Sequence, residues 1–189
     1  MTDLGHVAVR TNSTYTGLHE TLADSSRPLM ARVPLRSVGS LDDVADFVTS
    51  LGSETVVIFD VDNTLARQGA PLEEFGRSVN GAIDRFEATR GVGRVIALTN
   101  GPQRGVPRMI SRGNKPWTTR RRLGLREEDR HVVVVGDQIV TDGVLAWRLG
   151  GTFLHLVIDD EDEAHRQAMM RRVGRAVSGL FFRRGSVGR

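Results

Sequence analysis

The sequence predicts an α/β domain: one mostly parallel sheet with helices on both faces. Three observations predict it. Val56–Phe59, Val95–Leu98, Val132–Val135 and Phe153–Ile158 are short runs, apolar or nearly so along their whole length, as strands buried on both sides must be. Stretches with helical signals lie between them. Polar residues stand just past three of the runs: Asp60, then Thr99-Asn100, then Gly136-Asp137. Open parallel sheets bind ligands at that edge, outside the carboxyl ends of the strands.

Residues 1–27 are rich in Thr, Ser, Asp and Gly without periodicity and are expected to form a flexible tail. The globular domain is expected over 28–164, and a basic amphipathic helix and tail over 165–189. Ser40 is placed to cap a helix from Leu41 to about Leu51, with Val44, Phe47 and Val48 on one face. Val56–Phe59 is the first expected strand. Pro71 or Leu72 starts a helical region reaching about Arg90. Val95–Leu98 is the second strand, stopped by Thr99-Asn100-Gly101-Pro102. Residues 104–114 carry glycine and proline, so no long helix is expected there, only a short strand at Met109–Ser111. Thr118 or Thr119 starts a short helix through Leu123, ended by Gly124. Val132–Val135 is a strand, Val144–Leu149 a helix ended by Gly150, and Phe153–Ile158 the last expected strand.

A chain of 189 residues fits one domain, and its 39% apolar content allows a sizeable core. There is no cysteine, which excludes a disulfide scaffold, a thiolate zinc site and a cysteine nucleophile. No apolar run approaches the ~20 residues of a membrane span. Residues 1–26 lack the apolar centre of a signal peptide. A cytoplasmic protein is expected. Lys115 is the only lysine among 26 basic residues. In a chain that otherwise uses arginine, a retained ammonium suits a point charge for one phosphate oxygen.

Asp60-Val61-Asp62 is the most telling triplet. In an extended chain residues i and i+2 face the same way, so the two carboxylates share a side. Held that close, they repel unless a cation or a shared proton lies between them. A polar loop after a strand is the bland reading. It weakens once Thr99-Asn100 and Gly136-Asp137 occupy matching strand ends. His6, His19, His131, His155 and His165 show no metal-ligand spacing. His155 reads as structural, Trp117 and Trp147 as packing residues, and Arg120-Arg121-Arg122 as a solvated helix face.

Asp60-Val-Asp-Asn-Thr, then Thr99-Asn100, then Lys115-Pro116, then Gly136-Asp137-Gln-Ile-Val-Thr-Asp142 resembles the four motifs of the haloacid dehalogenase (HAD) superfamily, in order. Lys-Pro in the third motif, Gly-Asp-Gln-x-x-Thr-Asp in the fourth, and the later Arg148-Leu149-Gly150 resemble one branch. That branch is the family IIIA (YqeG-type) phosphatases, which include phosphatidylglycerophosphate phosphatases. The resemblance spans about residues 30–184. The chain departs from the branch in three places. The segment between the second and third motifs is short and carries glycine and proline, Trp147 replaces a common asparagine, and the polar stretch before residue 28 has no counterpart.

The resemblance implies a single HAD-like (Rossmannoid) domain and a Mg²⁺-dependent phosphomonoester hydrolase. Asp60 is suited to attack phosphorus and form an aspartyl-phosphate. Asp62 is suited to protonate the leaving oxygen and then activate water. Thr99, Asn100 and Lys115 would hold the phosphoryl oxygens. Asp60, Asp137 and the backbone carbonyl of Asp62 are the implied Mg²⁺ ligands, with Asp142 behind them in an outer role. Asp142 also reads as a helix N-cap before Val144.

Neither Arg67–Arg94 nor Gly101–Asn114 is long enough to hold a cap domain. An open site admits large substrates, so phosphatidylglycerophosphate at a membrane surface is the expected substrate. From His165 onward there are arginines and no acidic residue. That segment, 165–189, either lies on an anionic membrane with exposed aromatics or packs on the sheet with a solvated basic face. A lipid-borne phosphomonoester is the expected partner, ahead of nucleic acid. A phosphatase of nucleic-acid or phosphoprotein ends, or a binding module on the same scaffold, are the alternatives.

Overall fold

The computed structural model describes residues 32–52, 54–129, 131–157, 172–174, 176 and 178–184. The expected tail at 1–27 lies outside these, as does the stretch 158–171, which holds the acidic run and the start of the basic segment.

The described strands are β1 (Val33–Val38), β2 (Thr55–Asp60), β3 (Val92–Leu98), β4 (Met109–Ile110), β5 (His131–Gly136), β6 (Thr152–Leu156) and β7 (Phe182–Arg184). They form one sheet in the order β4-β3-β2-β5-β6-β1-β7, and every pairing is parallel. The helices are α1 (Leu41–Ser50), α2 (Leu72–Glu87) and α3 (Val144–Leu149), the last entered through a π-helical turn at Ile139–Gly143.

Strand alternation in β2 builds two cores. Val57 and Phe59 face α1 and α2, meeting Val44, Val48, Phe75, Val79, Ile83 and Phe86. The Phe59 and Phe86 rings lie 4.6 Å apart. Val56 and Ile58 face the other way, towards Leu145, Leu149, Phe153 and Leu123. This two-sided burial is why β2 is apolar at consecutive positions. Ser40 begins α1 with a capping box: its hydroxyl accepts from Asp43 N at 3.2 Å, and Asp43 Oδ2 accepts from Ser40 N at 3.0 Å.

Three expectations are corrected. The short helix through Leu123 is a single turn. Leu125 N donates to Arg120 O and Gly124 N to Arg121 O, and Gly124 sits at φ 63°. This is a helix-ending pattern with almost no helix before it. Arg120 is not on a solvated face, because its guanidinium donates to the carbonyls of Leu149, Arg126 and Asp129. Phe153–Leu156 is not the last strand and the aromatics after it are not both displayed. Residues 172–174, 176 and 178–181 are helical, and then Phe182 enters β7, 5% exposed against Phe153. Phe181 meets Trp147 edge-on at 5.1 Å. The described part of the basic segment thus packs on the domain.

β1 is an element the sequence did not announce. Pro34 and Arg36 interrupt its apolar run, and it is mostly half-buried. It owes its strand state to its neighbours, β6 and β7.

Candidate active site

Parallel register brings the polar strand ends to one level. Asp60 pairs with Leu98 of β3, and Phe59 with Val135 of β5. Thr99 and Asp137 therefore leave the sheet beside Asp60, one residue apart in height.

Asp60, Asp137 and Asp142 each offer an oxygen within 4.8 Å of the others. All three are buried, and so is Lys115. Lys115 Nζ lies 2.6 Å from Asp60 Oδ1 and 2.7 Å from Asp142 Oδ1. Asp60 Oδ1 also accepts from Val61 N at 2.6 Å.

The Asp142 carboxylate reaches the cluster because of the π-helical turn. Its own N–H donates to Gln138 O at 2.9 Å, and its Oδ2 accepts from Gln138 N at 3.3 Å. It does not cap α3, whose first turn has no side-chain cap. Gly136 makes this possible: a Cβ there would stand 2.3 Å from Asp142 Oδ2. Asp142, expected in an outer role, brings a carboxylate oxygen within 4.8 Å of Asp60 and Asp137. His155 Nε2 donates to the Asp137 carbonyl at 3.1 Å, so this histidine braces the strand end that carries Asp137.

Asp62 stands apart from the three. Its Oδ2 accepts from Thr99 Oγ1 at 2.7 Å, and its Oδ1 lies 3.7 Å from Arg104. The turn that carries it is tied down by Asn63 N to Ala66 O at 2.8 Å and Gln68 N to Asn63 Oδ1 at 3.0 Å. Thr99 Oγ1 also accepts from Gly101 N at 2.9 Å. Asn100 holds the Lys115 backbone at both ends: Oδ1 accepts from Lys115 N at 2.6 Å, and Nδ2 donates to Lys115 O at 3.1 Å. Lys115 precedes a cis proline, Pro116. Thr99 and Asn100, expected to hold phosphoryl oxygens, stand at this edge, where Thr99 orients Asp62 and Asn100 fixes the Lys115 loop.

Sequence reasoning missed Arg104. Its guanidinium lies 4.8 Å over the ring of buried Phe75 and faces Asp62. Its only sequence cue is a place five residues after Thr99. Trp117 was read as a packing residue, yet it is 64% exposed, with Arg148 stacked 5.0 Å over its ring.

The electrostatics are lopsided: the Asp60 and Asp142 carboxylates share the Lys115 ammonium, and the buried Asp137 carboxylate lies beside them. Each carboxylate pair at this spacing repels by about 3 kcal/mol at an effective dielectric near 20. Burial pushes the Asp60 carboxyl well above its ordinary range; Asp142 adds to the rise, and Lys115 opposes it. Burial alone would lower Lys115, but Asp142 and Asp60 outweigh it and hold the ammonium above its usual range. Burial leads for Asp60, whereas for Lys115 the neighbouring carboxylates overcome burial; Asp142 raises both groups. An oxygen-only donor set of three buried carboxylates fits a hard divalent cation such as Mg²⁺.

No protein-family model matches this chain, and neither a curated protein nor a solved structure does. Among the described residues, no helix is long and apolar enough to cross a membrane.

Proposed function

We propose that this chain is a Mg²⁺-dependent, capless phosphatase of HAD type that works through an aspartyl-phosphate. The observation that carries the reading is the buried Asp60-Asp137-Asp142 cluster, clamped by the single lysine, with Asp62 beside it at the same sheet edge.

Asp60 Oδ2 attacks phosphorus while Lys115 and Val61 N–H hold Oδ1. The bond from phosphorus to the leaving oxygen breaks, and Asp62 gives that oxygen its proton. Asp62 then takes a proton from water, the water attacks the phosphorus of the aspartyl-phosphate, and Asp60 is released with inorganic phosphate. Lys115 stabilises the phosphoryl oxygens as charge spreads over them. Asp60, Asp137 and the Asp62 carbonyl would hold Mg²⁺, with Asp142 alongside, and the ion would neutralise phosphoryl charge. Thr99 orients Asp62, and Asn100 orients Lys115.

For the substrate we favour phosphatidylglycerophosphate at a membrane surface. Residues 61–71 and 99–114 contain turns, an isolated bridge and the two-residue β4, but no helix. These short segments without a helix favour an uncapped site. Exposed apolar side chains also sit on segments leaving this edge: Leu72 at the start of α2, Val157 just after β6, and Trp117 two residues past Lys115. Phosphate release from that lipid in mixed micelles, dependent on Mg²⁺, tests the reading. Turnover of other phosphomonoesters with none of the lipid would remove the lipid assignment. No turnover of any phosphomonoester by Mg²⁺-loaded protein would leave a binding module.

A further inference from the structure

We infer that Arg104 is a specificity residue, reading a second negative charge on the leaving group of the substrate. The inference rests on the phosphatase reading above and adds a recognition element to it. Arg104 stands on a braced turn, not a loose one. Val106 beside it is 1% exposed, Gln103 Nε2 donates to Val106 O at 2.8 Å, and Arg112 N donates to Gly101 O at 2.9 Å. The guanidinium is stacked on Phe75, which fixes its plane. Four other arginines of the domain are committed to protein acceptors: Arg94 to Gly124 O, Arg120 to three carbonyls, Arg122 to Arg112 O and Arg148 to Pro116 O. Among the described residues Arg104 donates no hydrogen bond. Its one charged neighbour, Asp62, is 3.7 Å away, longer than a charge-assisted hydrogen bond. A planar fork with five donors is therefore held in place with its donors unfilled.

The position assigns the ligand. Asp62 must come within hydrogen-bond reach of the leaving oxygen to protonate it. The guanidinium then lies within roughly 7 Å of that oxygen, on the leaving-group side of the phosphorus. Lys115 and the cation site serve the phosphoryl group that is transferred, so Arg104 is left for an anion that departs with the alcohol. A phosphodiester one glycerol length from the ester oxygen fits that reach. A lipid headgroup or a soluble glycerophosphoryl ester could each supply it.

The experiment compares two soluble esters that differ by the glycerophosphoryl group bearing the second anion, glycerophosphoglycerol phosphate and glycerol 1-phosphate, with phosphatidylglycerophosphate in mixed micelles as a third arm. Wild type, Arg104→Met and Arg104→Lys are assayed with Mg²⁺, with thermal melts to confirm folding. Wild type is expected to prefer the doubly charged ester at least tenfold in kcat/KM. Arg104→Met should cut that ratio about tenfold, mainly through KM, in both the soluble and the lipid form, and Arg104→Lys should restore part of it. A ratio unchanged in Arg104→Met, an equal loss on both soluble esters, or a loss confined to micelles overturns the inference. Wild type inactive on all three esters and on an aryl phosphate would instead overturn the phosphatase reading, and this inference with it.

Discussion

Two ion clusters in this molecule share a formula and differ in setting. Lys115 holds Asp60 and Asp142 with all three side chains at most 8% exposed. Arg108 holds Asp84 and Glu87 with side chains 39%, 67% and 49% exposed. Each is one cation between two carboxylates. In the exposed cluster water and salt screen the charges, and the excess negative charge matters little. In the buried cluster a third carboxylate, Asp137, lies close by and water has little access, so the crowding of charge appears in the proton affinities of Asp60 and Lys115. Excess charge at a surface is decoration; the same excess under cover is a demand for a ligand.

Substitutions that break this contrast should differ in both size and sign. Asp60→Asn should lower phosphatase turnover by roughly 10³-fold or more, as loss of a nucleophile does. It should also leave the metal-free fold as stable as wild type or more so, because it removes a repelling charge. A denaturant melt showing clear destabilisation would contradict the charge-excess argument. Lys115→Met should do the reverse. It leaves buried carboxylates uncompensated and should cost about 3–5 kcal/mol in urea unfolding, with part recovered by added Mg²⁺.

The protonation shifts sharpen the contrast. Asp60 is raised above the ordinary 3.8, so its stabilising contribution is complete below that value and is lost as pH rises through the folded pKa. Lys115 is also raised, so its contribution is complete below about 10.5 and fades only above that. The metal-free protein should therefore lose stability as pH rises from the acid side. Mg²⁺ bound at Asp60, as proposed, would displace its proton and should stabilise the protein more at higher pH. Melting curves in chelator and in Mg²⁺ should diverge with rising pH, and Asp60→Asn should flatten the divergence. Parallel curves would count against Mg²⁺ contact with Asp60.

Smaller effects complete the series. Ser40→Ala removes the capping box of α1 and should cost about 1 kcal/mol. Arg108→Met should leave both the melting temperature and turnover unchanged within error, although it breaks an arrangement drawn like that of Lys115.

The buried strands β2, β3 and β5 were legible because burial on both faces leaves an uninterrupted apolar run. The site was legible for the same reason, since a polar residue ending such a run has nowhere to be except the sheet edge. β1 and β7 were not legible. Val33-Pro34-Leu35-Arg36 and Phe182-Arg183-Arg184 have too little apolar content to announce a strand, and only pairing makes them one. The inward turn of Asp142 was hidden because a π-helical turn and a normal N-cap look alike in sequence. Arg104 was hidden because its meaning comes from Phe75, 29 positions away along the chain.

The pairing of β7 with β1 has a consequence for handling this protein. Val33 lies against Phe182, and Leu35 against Arg184. A truncation ahead of Phe182 would strip β1 of its outer neighbour and expose a row of unsatisfied amides and carbonyls. Such a border invites another chain to add itself. A shortened version made to remove the arginine-rich end would thus trade a short, basic edge for a longer, adhesive one.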